Sequence, residues 1–337
     1  MIDLSNRVNF EKIKKEHFAY FCQKGLPILE ELIQTKKGTE EESFFSFLYL
    51  KYKDIIVGSP KTLENIKLEI KTKFPNIFMA LLGDIIKTDN IDRLTEDINN
   101  IFNYDSFSSY RKIKWGAYRL IEELGVEVCP YCNRNYITKH IGETGKTRPH
   151  LDHFLDKAKH PYFAISLFNL IPCCYVCNSS FKGSELFSLK EYLHPYVEGF
   201  GEMVKFSIVF KEDIKDIEDL LNGEYLIDYK FDKNIEKDFK KRALENDRVF
   251  QILALHNYHT SLSDELINRA RFYTPERISE IYQSFEGLFN SEDEVILTLI
   301  GLYGPLKVDF EKRAFSKFSK DISSELGLIN IVKSKTL

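Results

Sequence analysis

The chain has 337 residues, of which 43% are hydrophobic and 29% are charged, values typical of a folded, soluble protein with two or three domains. The sequence contains no apolar run of about 18 residues, which a membrane-spanning helix would need, and its N-terminus lacks the apolar core of a signal peptide. We therefore expect a cytoplasmic protein with no membrane partner.

Charge is unevenly distributed along the chain. The net charge is −4, which is not typical of a protein that binds nucleic acid over its whole surface. Residues 106–183, however, contain eleven Lys and Arg against six Asp and Glu, and four of the eight histidines. A basic segment on an acidic chain fits a confined anion-binding site, although chance clustering of surface lysines would give the same count.

The first 105 residues are predicted to be helical, because their apolar residues recur at helical spacing. The predicted helices cover Val8–Leu32 (with a break near Gly25 and Pro27), Phe44–Ile56, Leu63–Leu82 and Asp92–Phe102. A stronger amphipathic pattern predicts a helix over Ser109–Leu124, with Arg111 and Lys112 in its first turns and Gly125 just after its end.

The rest of the chain mixes strands and helices. A short strand is predicted over Pro149–Phe154 and a helix over His160–Leu170. Alternating apolar residues between Val204 and Phe210 predict a half-buried strand, and Tyr225–Phe231 is its expected partner after a turn at Asn222 and Gly223. Helices are expected again from Ile235 onward. The fold class is therefore α+β and mostly α.

Five of the six cysteines lie between residues 129 and 177, where they form two CxxC pairs. Two such pairs can supply four thiolates to one tetrahedral zinc ion. We expect Cys129, Cys132, Cys174 and Cys177 to be the ligands, because Cys173 lacks the two-residue spacing to Cys177. The zinc should be structural, since four thiolates leave no open position for substrate. Reduced structural cysteines and redox pairs are the alternatives.

Acid–base and metal-binding residue types lie between and just after the CxxC pairs. Asp152 and Asn178 offer oxygen atoms that suit Mg²⁺ or Mn²⁺, and His153 is a candidate general base that would activate water. Asn169 is placed to orient the loop that carries His153. His150 is a candidate second metal or phosphate contact, or a surface histidine on a strand.

The segments that begin at His150, Phe168 and Cys174 together resemble the motif of HNH endonucleases. The resemblance implies a central ββα-metal unit, treble-clef-like, within residues 106–185. It implies His153 as general base, Asp152 and Asn178 as ligands of the catalytic metal, and Asn169 as the structural asparagine. The third motif position holds Asn178 rather than His, as in the HNN variant of the family.

A finer resemblance is to the HNH nuclease subunits of Septu-type and retron-associated bacterial anti-phage systems. It implies an ATPase partner subunit, with residues 1–105 as a helical partner-docking or scaffold region and residues 186–337 as an α+β C-terminal region. The sequence thus predicts a metal-dependent endonuclease that cleaves DNA. The alternatives are a non-catalytic zinc-knuckle module that binds nucleic acid or protein, and an HNH-type RNase. Lys182, Lys157 and Arg134 are the candidate phosphate contacts.

Overall fold

The computed structural model describes residues 1–6, 8–83, 89–109, 114–211, 224–285, 287–299 and 310–328. The chain forms two compact units, each built from separate stretches of sequence. The larger unit consists of Asp3–Cys129 and Ile137–Gly199, and the smaller unit consists of Met1–Ile2, Pro130–Tyr136 and Phe200–Leu337. Among the described residues, no helix combines the length and apolar character that would let it cross a bilayer.

Helices make up the first part of the larger unit. They are α1 (Phe10–Lys24), α2 (Leu26–Thr35), α3 (Glu40–Val57), α4 (Pro60–Lys73), α5 (Pro75–Leu82), α6 (Asp89–Ile101), α7 (Tyr104–Ser108) and α8 (Ala117–Leu124). The predicted break near Gly25 is confirmed, because α1 ends at Lys24 and α2 begins at Leu26. A side chain does not fit at Gly25, since its Cβ would lie 2.4 Å from the Phe21 ring.

Helix α8 is shorter than the sequence pattern predicts. It begins at Ala117 instead of Ser109, while its predicted end is confirmed by Gly125, which adopts the left-handed conformation with φ of 61°. Its buried face carries Leu120, Ile121 and Leu124, so the amphipathic pattern identified the correct face. Arg111 and Lys112, expected in the first turns, lie outside the described residues.

Two short antiparallel hairpins follow in the larger unit. Strand β1 (His140–Ile141) pairs with β2 (Lys146–Thr147), and β3 (His150–His153) pairs with β4 (Leu170–Cys173). The register of the second hairpin sets His150 opposite Cys173 and His153 opposite Leu170. A π-helix, Val176–Lys182, comes directly after this hairpin.

The helix predicted over His160–Leu170 is wrong. The segment instead forms two short 3₁₀ turns, Pro161–Phe163 and Leu167–Asn169. Side chains contact three successive carbonyl groups of this segment. Asn169 Nδ2, from within the segment, donates to Phe163, while His153 contacts Ala164 and His17 contacts Ile165. These bonds replace the ones that an α-helix would make within the segment.

The smaller unit contains the predicted strand pair and a second set of helices. Strands β5 (Val204–Phe210) and β6 (Tyr225–Phe231) are antiparallel and pair from Val204↔Phe231 to Phe210↔Tyr225, which confirms both strands. The expected turn at Asn222 and Gly223 lies outside the described residues. The helices are α9 (Lys237–Phe250), α10 (Ile252–Asn257), α11 (Thr260–Phe272), α12 (Pro275–Ser284), α13 (Glu292–Leu299) and α14 (Ser316–Glu325).

The α+β, mostly helical fold class is confirmed. The chain was expected to divide into three consecutive regions, whereas its two compact units are each built from separate stretches of sequence. The N-terminal helices and the segment Ile137–Gly199, which contains the second CxxC pair, fold together in the larger unit. Buried His17 of α1 joins them, because its Nε2 lies 2.6 Å from the Ile165 carbonyl oxygen and its Nδ1 accepts from Trp115 Nε1 at 3.1 Å. The rings of Phe10 and Phe168 pack with their centroids 4.9 Å apart. These long-range contacts are invisible to local patterns.

Stability should fall in mild acid, because burial lowers the pKa of His17 from 6.5 to about 4. The unfolded chain then binds the extra proton below pH 6.5, so the contribution of neutral His17 is complete above that pH and is lost as the pH falls towards 4. At pH 5 the loss from this one group would be roughly 2 kcal/mol.

The check is urea denaturation at pH 7.5 and pH 5 for wild type and His17→Gln. Glutamine keeps one donor and one acceptor but does not titrate, so the variant should lose less stability between the two pH values. If wild type and His17→Gln lose equal unfolding free energy between pH 7.5 and pH 5, the titration of His17 is not the cause of the acid sensitivity.

Candidate active site and metal centre

The cysteines of the two CxxC pairs come together as the spacing predicts. The sulfur atoms of Cys129, Cys132, Cys174 and Cys177 all lie within 4.8 Å of one another, and all four residues are buried. A tetrahedral zinc ion with bonds of about 2.3 Å needs sulfur atoms slightly closer than this, so the cluster fits zinc with a small contraction.

Backbone groups support both knuckles. The amide of Arg134 donates to Cys132 Sγ and the amide of Cys177 donates to Cys174 Sγ, each at 3.4 Å. Such bonds stabilise thiolate charge. Cys173 is not in the cluster, and burial raises the pKa of its thiol well above the usual value. The structure therefore groups Cys174, and not Cys173, with the other three cysteines, and this cluster could bind a zinc ion.

A cleft of about 600 Å³ lies beside strand β3 in the larger unit. Four of the residues expected from the motif line it, namely Asp152, His153, Asn178 and Lys182. Its other lining residues include the cations Lys146, Arg148 and Lys157. The cleft therefore combines an imidazole, a carboxylate, an amide and several positive charges.

His153 is held in one orientation at the end of β3. Its Nε2 lies 2.9 Å from the carbonyl oxygen of Ala164, which can only accept, so Nε2 carries the proton in the neutral ring. The Tyr104 ring packs edge-on against the imidazole at 4.5 Å. Burial lowers the pKa of His153 from 6.5 to about 4. At neutral pH the ring is uncharged, and its Nδ1 has a lone pair that can accept a proton.

Asn169 stabilises the chain where it leaves His153. Its Oδ1 accepts from the Leu155 amide at 2.6 Å, while its Nδ2 donates to the carbonyl oxygens of Leu155 and Phe163, both at 3.0 Å. The side chain is buried and lies outside the cleft lining, so these bonds give it a structural place rather than contact with substrate.

Asp152 and Lys182 form a buried ion pair at the floor of the cleft. Lys182 Nζ lies 2.7 Å from Asp152 Oδ1, and the two residues are 5% and 4% exposed. The ammonium also donates to the carbonyl oxygen of His153 at 2.5 Å. The structure therefore does not place Lys182 as the expected phosphate contact, because its charge is already bound within the protein.

Asn178 and His150 form a second pair at the edge of the cleft. Asn178 Nδ2 lies 3.2 Å from His150 Nδ1, which leaves the amide oxygen of Asn178 directed elsewhere. His150 and Asp152 are two residues apart on β3 and so lie on the same side of the strand. A carboxylate, an amide oxygen and an imidazole are ligand types that Mg²⁺, Mn²⁺ and related ions accept, so by ligand type alone these residues suit a divalent cation.

Of the other two expected phosphate contacts, Lys157 lies at the cleft and Arg134 does not. Lys157 lines the cleft and its ammonium lies 4.4 Å from the centre of the Tyr104 ring. Arg134 belongs to the smaller unit, contacts His259 at 3.5 Å and is not among the lining residues. Sequence reasoning missed Lys146 and Arg148. The basic residues in and after the β1–β2 hairpin could have indicated them. The glycines of this segment, however, led to its prediction as a loop.

Comparisons with known proteins give one local likeness. A stretch of 75 residues is 36% identical to Protein ea31 of Escherichia phage lambda and covers 21% of this chain. It spans 22% of the length of the phage protein, so the likeness concerns one segment of each chain. No family model matches the chain, and no solved structure matches it.

Removing a cysteine of the cluster should remove zinc. Cys177→Ser is expected to lose most of the bound metal and to lower Tm by roughly 5 °C or more, because metal binding is part of the folding free energy. The measurement is zinc content by mass spectrometry together with thermal unfolding. Cys173→Ala and Cys22→Ser are the controls and should keep one zinc ion per chain. Loss of zinc from a control would contradict the assigned ligand set.

Proposed function

We propose that the chain is an HNH-type endonuclease that uses a divalent metal ion to hydrolyse phosphodiester bonds in DNA. The state of His153 is the observation that carries the proposal. Its ring is neutral, its Nε2 is fixed by Ala164, and Nδ1 remains to accept a proton in a cleft shared with Asp152 and Asn178. His17 is also neutral and also faces a carbonyl oxygen, but only His153 of these two lines the cleft with Asp152 and Asn178.

In the proposed reaction, Nδ1 of His153 takes a proton from a water molecule as the water oxygen attacks phosphorus and the P–O bond to the leaving oxygen breaks. Asp152 and Asn178 would hold the divalent cation, which when bound supplies stabilisation of the charge that develops on the leaving oxygen. Asn169 keeps His153 in place through Leu155. Lys157 and Arg148 lie at the cleft and would bind phosphates that flank the scissile one.

The biological setting follows from the same resemblance. We propose that the nuclease is an effector of a bacterial anti-phage system and works beside an ATPase subunit. Co-purification with the product of the neighbouring gene, and growth loss on phage addition only when both are present, are the expected observations. Unimpaired growth under those conditions would count against the defence role and would leave the chemistry of the site unaffected.

Replacement of His153 should abolish cleavage. His153→Ala is expected to lower the rate at least about 100-fold, since a positioned general base contributes that much or more. The assay is cutting of plasmid DNA with Mg²⁺ or Mn²⁺ by zinc-loaded protein, and the matched control is His140→Ala, an exposed histidine of β1. Equal cutting by His153→Ala and wild type would contradict the proposal. A requirement for ribose 2′-hydroxyl groups would identify an RNase instead.

Charge removal should separate the cleft cations from Arg134. Lys157→Ala and Arg148→Ala are each expected to weaken DNA binding several-fold and to reduce its salt dependence by about one phosphate contact. Arg134→Ala should change neither quantity appreciably, because its guanidinium lies at His259. Fluorescence anisotropy of a labelled DNA duplex over a range of salt concentrations measures both. A larger effect at Arg134 than at Lys157 would reverse this assignment.

A further inference from the structure

Two side-chain pairs join strand β3 to the π-helix across the floor of the cleft. Asn178 lies against His150, and four residues later Lys182 lies against Asp152. Lys182 is fixed by more than the carboxylate. Its ammonium also contacts the carbonyl oxygens of His153 and Phe154, at 2.5 and 3.5 Å, and lies 4.8 Å from the centre of the Phe187 ring. With these partners the buried ammonium of Lys182 has one fixed position in the site.

This arrangement has an electrostatic consequence for metal binding. Asp152 is the carboxylate that would bind a divalent cation, yet its negative charge is already balanced by Lys182. A divalent ion on the same carboxylate would lie a few ångströms from the ammonium, in a sheltered site where water and salt screen repulsion weakly. A phosphodiester in the cleft brings a further negative charge and offsets that repulsion.

We propose that Lys182 is a fixed counter-ion of Asp152 that keeps the divalent-cation affinity of the empty cleft low, so that the cation and the phosphodiester bind cooperatively. The inference rests on the proposed function and adds its regulation. Lys182 acts through Asp152 and is therefore a positioning residue, not a catalytic one. It also explains why a lysine lies beside the carboxylate of a candidate cation site.

The first test compares Mn²⁺ binding by zinc-loaded wild type and Lys182→Met, measured by calorimetry on the full chain without DNA. Removal of the ammonium is expected to tighten Mn²⁺ binding at least about tenfold. The double variant Asp152→Asn with Lys182→Met has neither charge and should lose this gain. Equal Mn²⁺ affinity of wild type and Lys182→Met would overturn the inference and leave the nuclease proposal intact.

Thermal unfolding provides a readout that does not depend on activity. Lys182→Met leaves the Asp152 charge buried without its ammonium and should unfold at a lower temperature than wild type. Added Mn²⁺ should raise Tm of this variant more than that of wild type or of the double variant. If Lys182→Met does not fold, Lys182→Gln, which keeps a donor for the His153 carbonyl, is measured in its place. An equal Mn²⁺ response of all three proteins would overturn the counter-ion role.

The second test measures cooperativity through DNA binding. In His153→Ala, which does not cut, Mn²⁺ should increase the affinity for a labelled DNA duplex by the factor by which DNA increases the affinity for Mn²⁺. The factor should shrink when Lys182→Met is added. An unchanged factor overturns the inference alone. A zinc-loaded wild type that binds neither Mn²⁺ nor DNA overturns the proposed function as well.

Discussion

The candidate site depends on the register of β3 against β4. Strand side chains alternate between faces, so a slip of one residue would turn Asp152 away from the π-helix and move His153 off the Ala164 carbonyl. Both ends of β4 are held. Asn169 immediately precedes the strand and binds both backbone groups of Leu155, and Cys174 immediately follows it and belongs to the cysteine cluster. The register therefore links the cysteine cluster to the orientation of His153, the candidate base.

The same turn that orients His153 also receives the N-terminal helices. Adjacent carbonyl groups of Ala164 and Ile165 contact the ring nitrogens of His153 and His17. Helix α1 thus contributes directly to the position of the turn on which the imidazole depends. This is the physical reason why the expected separate docking region folds within the same unit as the cleft. A partner that displaced α1 would act on a turn that contacts the candidate base.

Local sequence patterns predicted many of the residues that line the site, but few of the contacts that hold those residues in place. The cysteine ligands, Asp152, His153 and Asn178 follow from residue type and spacing, because knuckles and short strands are local structures. The burial of Lys182 and its ion pair with Asp152 do not follow from the local sequence. A lysine four residues after Asn178 looks solvent-exposed until the strand beside it is known. The absent helix between His160 and Leu170 has a similar cause. Three of its backbone carbonyl groups are contacted by side chains, and one of these, His17, is 148 residues away in sequence.

The basic residues of segment 106–183 fall into two groups: some form ion pairs within the protein, and others line the cleft. Lys139 pairs with Glu122, Arg119 with Glu122 and Glu123, and Lys182 with Asp152. Three of the eleven cations are therefore held in ion pairs within the protein. Because their partners are acids of the same segment, these pairs leave its excess of positive charge unchanged. Lys146, Arg148 and Lys157 instead line the same cleft as His153. Three positive charges are thus grouped at the cleft that His153 lines, which a net charge of −4 would not reveal.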